Sequence, residues 1–226
     1  MSPAADREAA LVEVLEEARR RGFLGPGPVG PHLTHARGFA EALATLGDDA
    51  PPGIPRTLEG QRVLDLGSGG GAPGLPLAVE YPAARVTLLD VGARRCAWLR
   101  SAVEELDLAD RVQVAEGRGE TLAREPSLRA RFDVVVARSF GRPAPTAEIG
   151  GAFLRVSGAL VVSEPPSPGD AGTPKRWPAE PLERLGMALV EQRTLAHGTY
   201  AVLVRSVAVA DAQPRRVGIP AKRPTW

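Results

Sequence analysis

Cysteine is all but missing: Cys96 stands alone among 226 residues, so no disulfide can form within the chain. Nowhere do about 18 apolar residues run together, and no charged stretch leading into an apolar one marks a signal segment. With neither staple nor leader, the expectation is a cytoplasmic protein that folds on its own core. Histidine occurs only as His32, His35 and His197, none spaced from a carboxylate or from Cys96 as metal ligands are, which argues against a zinc site. An excess of one charge is missing too. Lysine and arginine number 28 against 27 acids, net +1, so there is no global positive field of the kind that holds nucleic acid by charge alone. Any RNA contact must be local. Lysine is confined to Lys175 and Lys222, while Ala, Gly, Pro and Arg abound; that pattern fits GC-rich coding, so arginine abundance carries no functional information by itself. A chain of this length makes one domain with room for a small N-terminal addition, and buries roughly 70% of its unfolded surface. No internal repeat is present.

What is there is an alternation of apolar strands and helices. Leu11, Val14, Leu15 and Ala18 sit at i, i+3, i+4, i+7 within residues 5–21, an amphipathic helix expected to pack on the main body. A Gly/Pro loop over 22–30 leads to a second helix from about 34 to 46, ended by Pro51, Pro52 and Pro55. Strands follow at 62–66, 85–90, 111–115, 133–137 and 158–163, with helices at 73–80, 93–107, 119–130 and 144–155 between them. That order predicts a mostly parallel sheet with helices on both faces. A Pro/Gly loop over 165–178 reads as a mobile segment or a lid, and residues 187–195 and 200–207, divided by Ala196-His197-Gly198-Thr199, read as a closing hairpin. Nicotinamide-binding domains end in a sixth parallel strand; a terminal antiparallel pair is instead expected of the seven-stranded, Rossmann-like class I methyltransferase sheet. The predicted organisation is an N-terminal helical extension over 1–58, the α/β domain over 59–210 and a basic, Pro-rich tail over 211–226.

The chemistry gathers at V-L-D-L-G-S-G-G-G, residues 63–71, followed by A-P-G-L-P-L-A. Glycines at 67, 69 and 71 let the chain turn tightly and bring bare backbone against a ligand, and the helix that follows offers unpaired N–H groups. Gly67-x-Gly69-x-x-Ala72 also satisfies the dinucleotide fingerprint, so the glycines alone indicate only an adenosine-containing cofactor. Asp65 shifts the balance: a carboxylate there can fix the loop and face a cationic amino-acid tail, which S-adenosylmethionine has, whereas a pyrophosphate would be repelled. Its bland alternative is loop capping. Asp90, nineteen residues after Gly71, ends the second strand where a carboxylate accepts both ribose hydroxyls, or simply caps the next helix. Gly119 and Glu120, in G-R-G-E after the third strand, are candidates for the adenine side, and Arg138 ends the fourth strand beside the crevice where open parallel sheets hold ligands.

Missing residues narrow the reaction. Cys96 falls on a helix stripe with Leu99, Val103 and Leu106, which suits core packing and not the nucleophile that pyrimidine carbon methylation needs. The Asn/Asp-Pro-Pro-aromatic turn common in exocyclic amine methylation is replaced by Arg138-Ser139-Phe140-Gly141. No catalytic base stands out. A ring nitrogen such as guanine N7 already carries an available lone pair and requires only alignment and electrostatic support; several small organic acceptors fit as well. His35, at the start of the second helix, is a further candidate for substrate contact.

These residues resemble the RsmG (GidB) methyltransferases over about 32–163 and the extreme tail. The glycine loop with its following Pro-Gly-x-Pro-Leu, L-L-D-V-G-A-R-R-C-A-W-L-R-S, G-R-G-E, V-V-A-R-S-F and the tail R-R-V-G-I-P-A-K-R-P carry the similarity. The resemblance implies methylation at N7 of one guanosine in 16S rRNA of the small ribosomal subunit, with Gly67, Ala72, Gly119, Glu120 and Arg138 as cofactor contacts and Gly69 and Asp90 beside them. Arg215, Arg216, Lys222 and Arg223 would then meet phosphate; the bland reading is a solvated end. The family's His-x-x-Asp-Ser becomes His35-Ala36-Arg37-Gly38-Phe39, and its Lys-Gly after the fifth strand becomes Ser163-Glu164-Pro165-Pro166, placing an acid that would repel an RNA phosphate. Two other readings stay open: a small-molecule methyltransferase with Trp177 lining an organic pocket, and a non-catalytic cofactor-binding paralogue.

Overall fold

A computed structural model describes residues 3–165 and 176–226. Two helices, α1 (Pro3–Arg20) and α2 (Gly30–Ala44), precede an alternating run: β1 (Arg62–Leu66), α3 (Gly74–Glu80), β2 (Arg85–Asp90), α4 (Ala93–Glu105), β3 (Val112–Glu116), α5 (Gly119–Leu122), β4 (Phe132–Ala137), α6 (Pro143–Phe153) and β5 (Leu154–Glu164). Then come α7 (Ala179–Arg184), the hairpin β6 (Met187–Leu195) and β7 (Gly198–Arg205), and a final turn of helix, α8 (Ile219–Lys222). The seven strands lie in the order β3-β2-β1-β4-β5-β7-β6, the first five parallel and β7 antiparallel to both β5 and β6. This is the class I methyltransferase sheet that the order of elements predicts.

The period-two pattern of the strands divides the core. Val63, Val134 and Val136 face a cluster shared with α1 to α4, whereas Leu64, Leu66, Val135 and Ala137 face one shared with Ile149 and Phe153 of α6 and Leu182 of α7. Both faces are therefore apolar, as a buried parallel sheet requires. Strand order reverses between β1 and β4, so a crevice opens beyond their carboxyl ends.

Four local departures from the expected elements have physical causes. The helix predicted over 119–130 stops at Leu122, and Pro126, which has no N–H to donate, lies in turns that carry the chain to β4. β5 begins at Leu154, directly from α6, and absorbs the extra residues in an irregularity opposite Phe132 and Val134, with Ser157 at φ 63°. α7 is one short helix hidden by Pro181 in its sequence, fixed by the buried Leu182. The tail is folded onto the domain and contains α8. The lid expected over 165–178 rests on residues 166–175, which lie outside the described residues. Among the described residues no helix is long and apolar enough to cross a membrane, and no cluster of acid, His and Cys side chains is placed to hold a metal ion.

Candidate functional site

The glycine loop is an extension of the sheet before it is a loop. Gly67 and Ser68 both donate their N–H to the Leu89 carbonyl at 2.9 Å, carrying the β1–β2 pairing one step beyond the strands. The chain then reverses through Gly67, at φ 81°, and Gly69, at φ 55°, a left-handed conformation that glycine adopts without strain. Asp90 fastens this turn from the neighbouring strand: Oδ2 accepts from the Gly69 N–H at 2.9 Å, and Oδ1 accepts from the Gly92 N–H at 2.7 Å and from the Arg95 guanidinium at 2.7 Å. The Asp90 side chain thus ties the loop to the start of α4. Cys96 lies beneath, buried, its thiol 3.3 Å from the Asp90 carbonyl oxygen.

Asp65 sits behind the loop and borders neither of the two clefts above it. It is 1% exposed; Oδ2 accepts from the Gly74 N–H at 3.0 Å, fastening the start of α3, and Oδ1 has no partner among the described residues. Burial raises its pKa to about 6, against the lowering effect of the Gly74 N–H. A raised acid in the folded state holds a proton that the unfolded chain has lost, so this carboxyl favours folding below about pH 4, and that contribution disappears as pH rises towards 6. Asp65→Asn keeps an acceptor for Gly74 and removes the charge. It is expected to flatten the stability profile between pH 4 and 6 and to gain up to about 3 kcal/mol above it, measured by urea unfolding across that range.

Two clefts meet over the loop. The first, about 610 Å³, lies between Gly67, Gly69, Asp90, Gly119 and Glu120, with Phe140 and Ile149 as its apolar wall and Arg118 and Arg142 exposed at its mouth. The second, about 620 Å³, is bordered by Ala72, Arg138, His32, His35 and Phe23, and shares Gly67, Gly69 and Ser139 with the first. Either volume suits a small-molecule site. Seven of the eight expected cofactor residues therefore line one continuous crevice, with Asp65 just beneath it.

Arg138, half-buried at the end of β4, donates to Nδ1 of His32 at 3.0 Å, its only hydrogen-bond partner among the described residues. Because a guanidinium only donates, His32 must accept at Nδ1 and carry any proton on Nε2. Burial, and then the Arg138 charge, hold His32 below the usual imidazole range. His35 is pushed down to about 4, chiefly by burial. Both rings are neutral at ordinary pH, so the Arg138 cation keeps most of its planar fork of donors for a carboxylate.

On the acceptor side, the acid at Glu164 proves to be internally neutralised. It is buried, it pairs with Arg176 and it accepts from the Trp177 indole at 2.9 Å, so no bare carboxylate confronts a phosphate there. Trp177, itself buried, borders a smaller cleft of about 310 Å³ with Ser139, Glu164 and Arg176. In the tail, Arg215 turns inward onto Glu148 of α6, while Arg216, Lys222 and Arg223 are exposed. The Gly218 N–H donates to Glu120 Oε1 at 3.0 Å, and Ala221 borders the first cleft.

Sequence reading had passed over Phe23, His32, Phe140 and the tail backbone as parts of this crevice. Phe23, His32 and the tail arrive from distant parts of the chain with no local pattern to announce them, whereas Phe140 stands two residues after Arg138 in V-V-A-R-S-F. Glu148 did leave a signal, a lone acid in the apolar helix P-A-P-T-A-E-I-G-G-A-F.

Comparison with known proteins agrees with the geometry. Residues 36–164 match the GidB family, described as rRNA small subunit methyltransferase G. A protein of that name from Roseiflexus castenholzii is 36% identical over 72% of this chain and 70% of its own length, and one from Deinococcus deserti is 31% identical over 100% of this chain and 91% of its own. Among solved structures, an O-methyltransferase from Bacillus cereus in complex with SAH superposes with a TM-score of 0.58 at 16% identity, covering 88% of this chain and 91% of that one, a likeness of fold.

Proposed function

Since the chain belongs to the GidB family, the rRNA small subunit methyltransferases G, we propose that it transfers a methyl group from S-adenosylmethionine to N7 of a guanosine in the 16S rRNA of the small ribosomal subunit, in the cytoplasm. One observation carries the reading. A cleft holding two carboxylates, Asp90 and Glu120, opens over the glycine loop into a second cleft where the half-buried Arg138 cation has, among the described residues, a single neutral partner. Those donors and acceptors fit an adenosine at one end and an amino-acid carboxylate at the other.

In this reading Asp90 accepts the ribose hydroxyls, Gly119 and Glu120 border the adenine, Gly67, Gly69 and Ala72 give backbone clearance, and Arg138 receives the methionine carboxylate. The bound cofactor supplies an electrophilic methyl on a sulfonium. The protein's part is to align the acceptor and exclude water, because guanine N7 offers its lone pair without deprotonation. Consistent with that demand, His32 Nδ1 is committed to Arg138. Arg216, Lys222 and Arg223, with Arg118 and Arg142 at the cleft mouth, supply local cations for phosphate on a chain of net charge +1.

The test is mass spectrometry of small-subunit RNA from a strain lacking the gene. One 7-methylguanosine should vanish and should return when purified protein and S-adenosylmethionine are added to the subunits or their RNA. An unaltered set of modified nucleosides would direct attention to a small organic acceptor beside Trp177 or to a non-catalytic role. Binding to the RNA should weaken steeply from low to moderate salt, which turnover of a neutral small molecule would not do. Asp90→Ala should weaken S-adenosylhomocysteine binding by about 1.5 kcal/mol or more, roughly tenfold, in calorimetry; an unchanged constant would refute the ribose assignment.

A further inference from the structure

The C-terminal segment, residues 213–226, carries more anchoring than an RNA-binding arm needs. Glu148 is 1% exposed at its side chain and accepts from three donors of Arg215, the backbone N–H at 2.8 Å, Nε at 2.9 and 3.1 Å, and Nη2 at 2.6 Å. Such a buried carboxylate is tolerable only while those donors are in place. Two more guanidinium groups, from the turns after α5, take up carbonyls just ahead of Arg215: Arg129 reaches Ala210 at 2.8 Å and Gln213 at 2.6 Å, and Arg124 reaches Pro214. At the far end the Trp226 indole donates to the Arg176 carbonyl at 3.0 Å and packs edge-on against Trp177, with ring centroids 6.4 Å apart.

Between these anchors the segment crosses the site. Gly218, at φ 77°, aims its N–H at Glu120, and Ala221 forms part of the first cleft's wall. Glu148 shares α6 with Pro145 and Ile149, which line the same cleft. One continuous stretch therefore joins the acid at the adenine side to the Glu164, Arg176 and Trp177 group at the end of β5.

We propose that residues 213–226 are a structural wall of the cofactor cleft, clamped shut by Arg215 on Glu148, so that an adenosine-bearing ligand and this segment stabilise one another. The inference rests on the S-adenosylmethionine reading of that cleft. If only the clamped form presents the complete wall, apparent affinity is the intrinsic affinity multiplied by the clamped fraction. By reciprocity, ligand must raise that fraction. Arg215 is then a positioning residue: it meets Glu148 and acts on the ligand through the wall.

The test uses the full-length protein and S-adenosylhomocysteine as probe. Arg215→Ala should weaken binding about tenfold or more in calorimetry, and Arg215→Lys, which keeps the charge without the fork, should recover part of it. The control for general stability is Arg155→Ala, which breaks the 2.5 Å pair with Asp133 at the amino-terminal ends of β4 and β5, away from the cleft, and should leave affinity unchanged. On the unaltered protein, saturating probe should slow amide exchange across 213–224, a readout independent of any variant's folding. Equal affinity in Arg215→Ala and the parent, or exchange in the segment indifferent to the probe, overturns the wall. A parent chain that does not bind the probe overturns the cofactor reading, and the wall with it.

Discussion

Arg138→Ala is expected to weaken S-adenosylhomocysteine binding about a hundredfold, and to depress methyl transfer with it, while leaving the melting temperature close to that of the parent. The guanidinium is half-buried, with burial lowering its pKa, yet its one hydrogen-bond partner among the described residues is a neutral imidazole. The desolvation cost at this position is offset in part by the charge of the buried Asp65 carboxylate, so removing the guanidinium should change stability little. A bound carboxylate would lose its counter-ion in a half-dry cleft, and truncating one partner of such a pair costs about 3 kcal/mol, the basis of the hundredfold figure. Arg138→Lys should not restore affinity, since an ammonium offers a point charge where the end of β4 presents a fork. Calorimetry and thermal melting on the same preparations check both halves of the expectation; full affinity in Arg138→Ala would remove the residue from the site.

The contrast between Asp65 and His32 shows what can be read from the sequence alone. Asp65 was visible from its place two residues before the first glycine, because a strand running into a glycine turn is a local pattern with a local purpose. Both of its anticipated uses, capping the loop and facing a ligand, concern the same few residues, and the carboxylate does fasten the loop to α3 through Gly74. The order of strands, the closing hairpin and the burial of Cys96 were legible for the same reason: each depends on periodicity within a window of about ten residues. His32 meets Arg138 across 106 positions, and Arg215 meets Glu148 across 67. No window contains both partners, and in a chain rich in arginine no single arginine stands out. Composition was a poorer guide at Glu164, whose charge looked exposed on paper but is spent on Arg176 and Trp177.

Gly70→Ala is expected to cost more than Gly69→Ala, although Gly70 is the one of the two whose backbone does not need glycine. Gly67, Gly69 and Gly71 have positive φ and Gly70 does not. A methyl group at Gly70 would lie 2.7 Å from the Phe23 carbonyl oxygen, 2.9 Å from its carbon and 3.0 Å from the Leu24 nitrogen. Those atoms are backbone, and the segment is held from behind. The Phe23 N–H donates to the Ala18 carbonyl at 2.9 Å, the Phe23 ring packs edge-on against Trp98 at 6.0 Å, and Leu24 is buried in the core shared with α1. With neither side free to give way, the overlap should cost about 3 kcal/mol, which in a domain of this size lowers the melting temperature by roughly 6–12 °C. At Gly69 the same methyl finds its nearest neighbour at 3.5 Å, so Gly69→Ala should cost only the left-handed strain, about 1 kcal/mol. A larger loss at Gly69 than at Gly70 would mean that backbone conformation governs the loop and that the N-terminal segment is free to withdraw. The ordering expected here instead makes Phe23 and Leu24 a fixed wall of the second cleft, opposite Arg138, and Gly70 the residue that lets them approach.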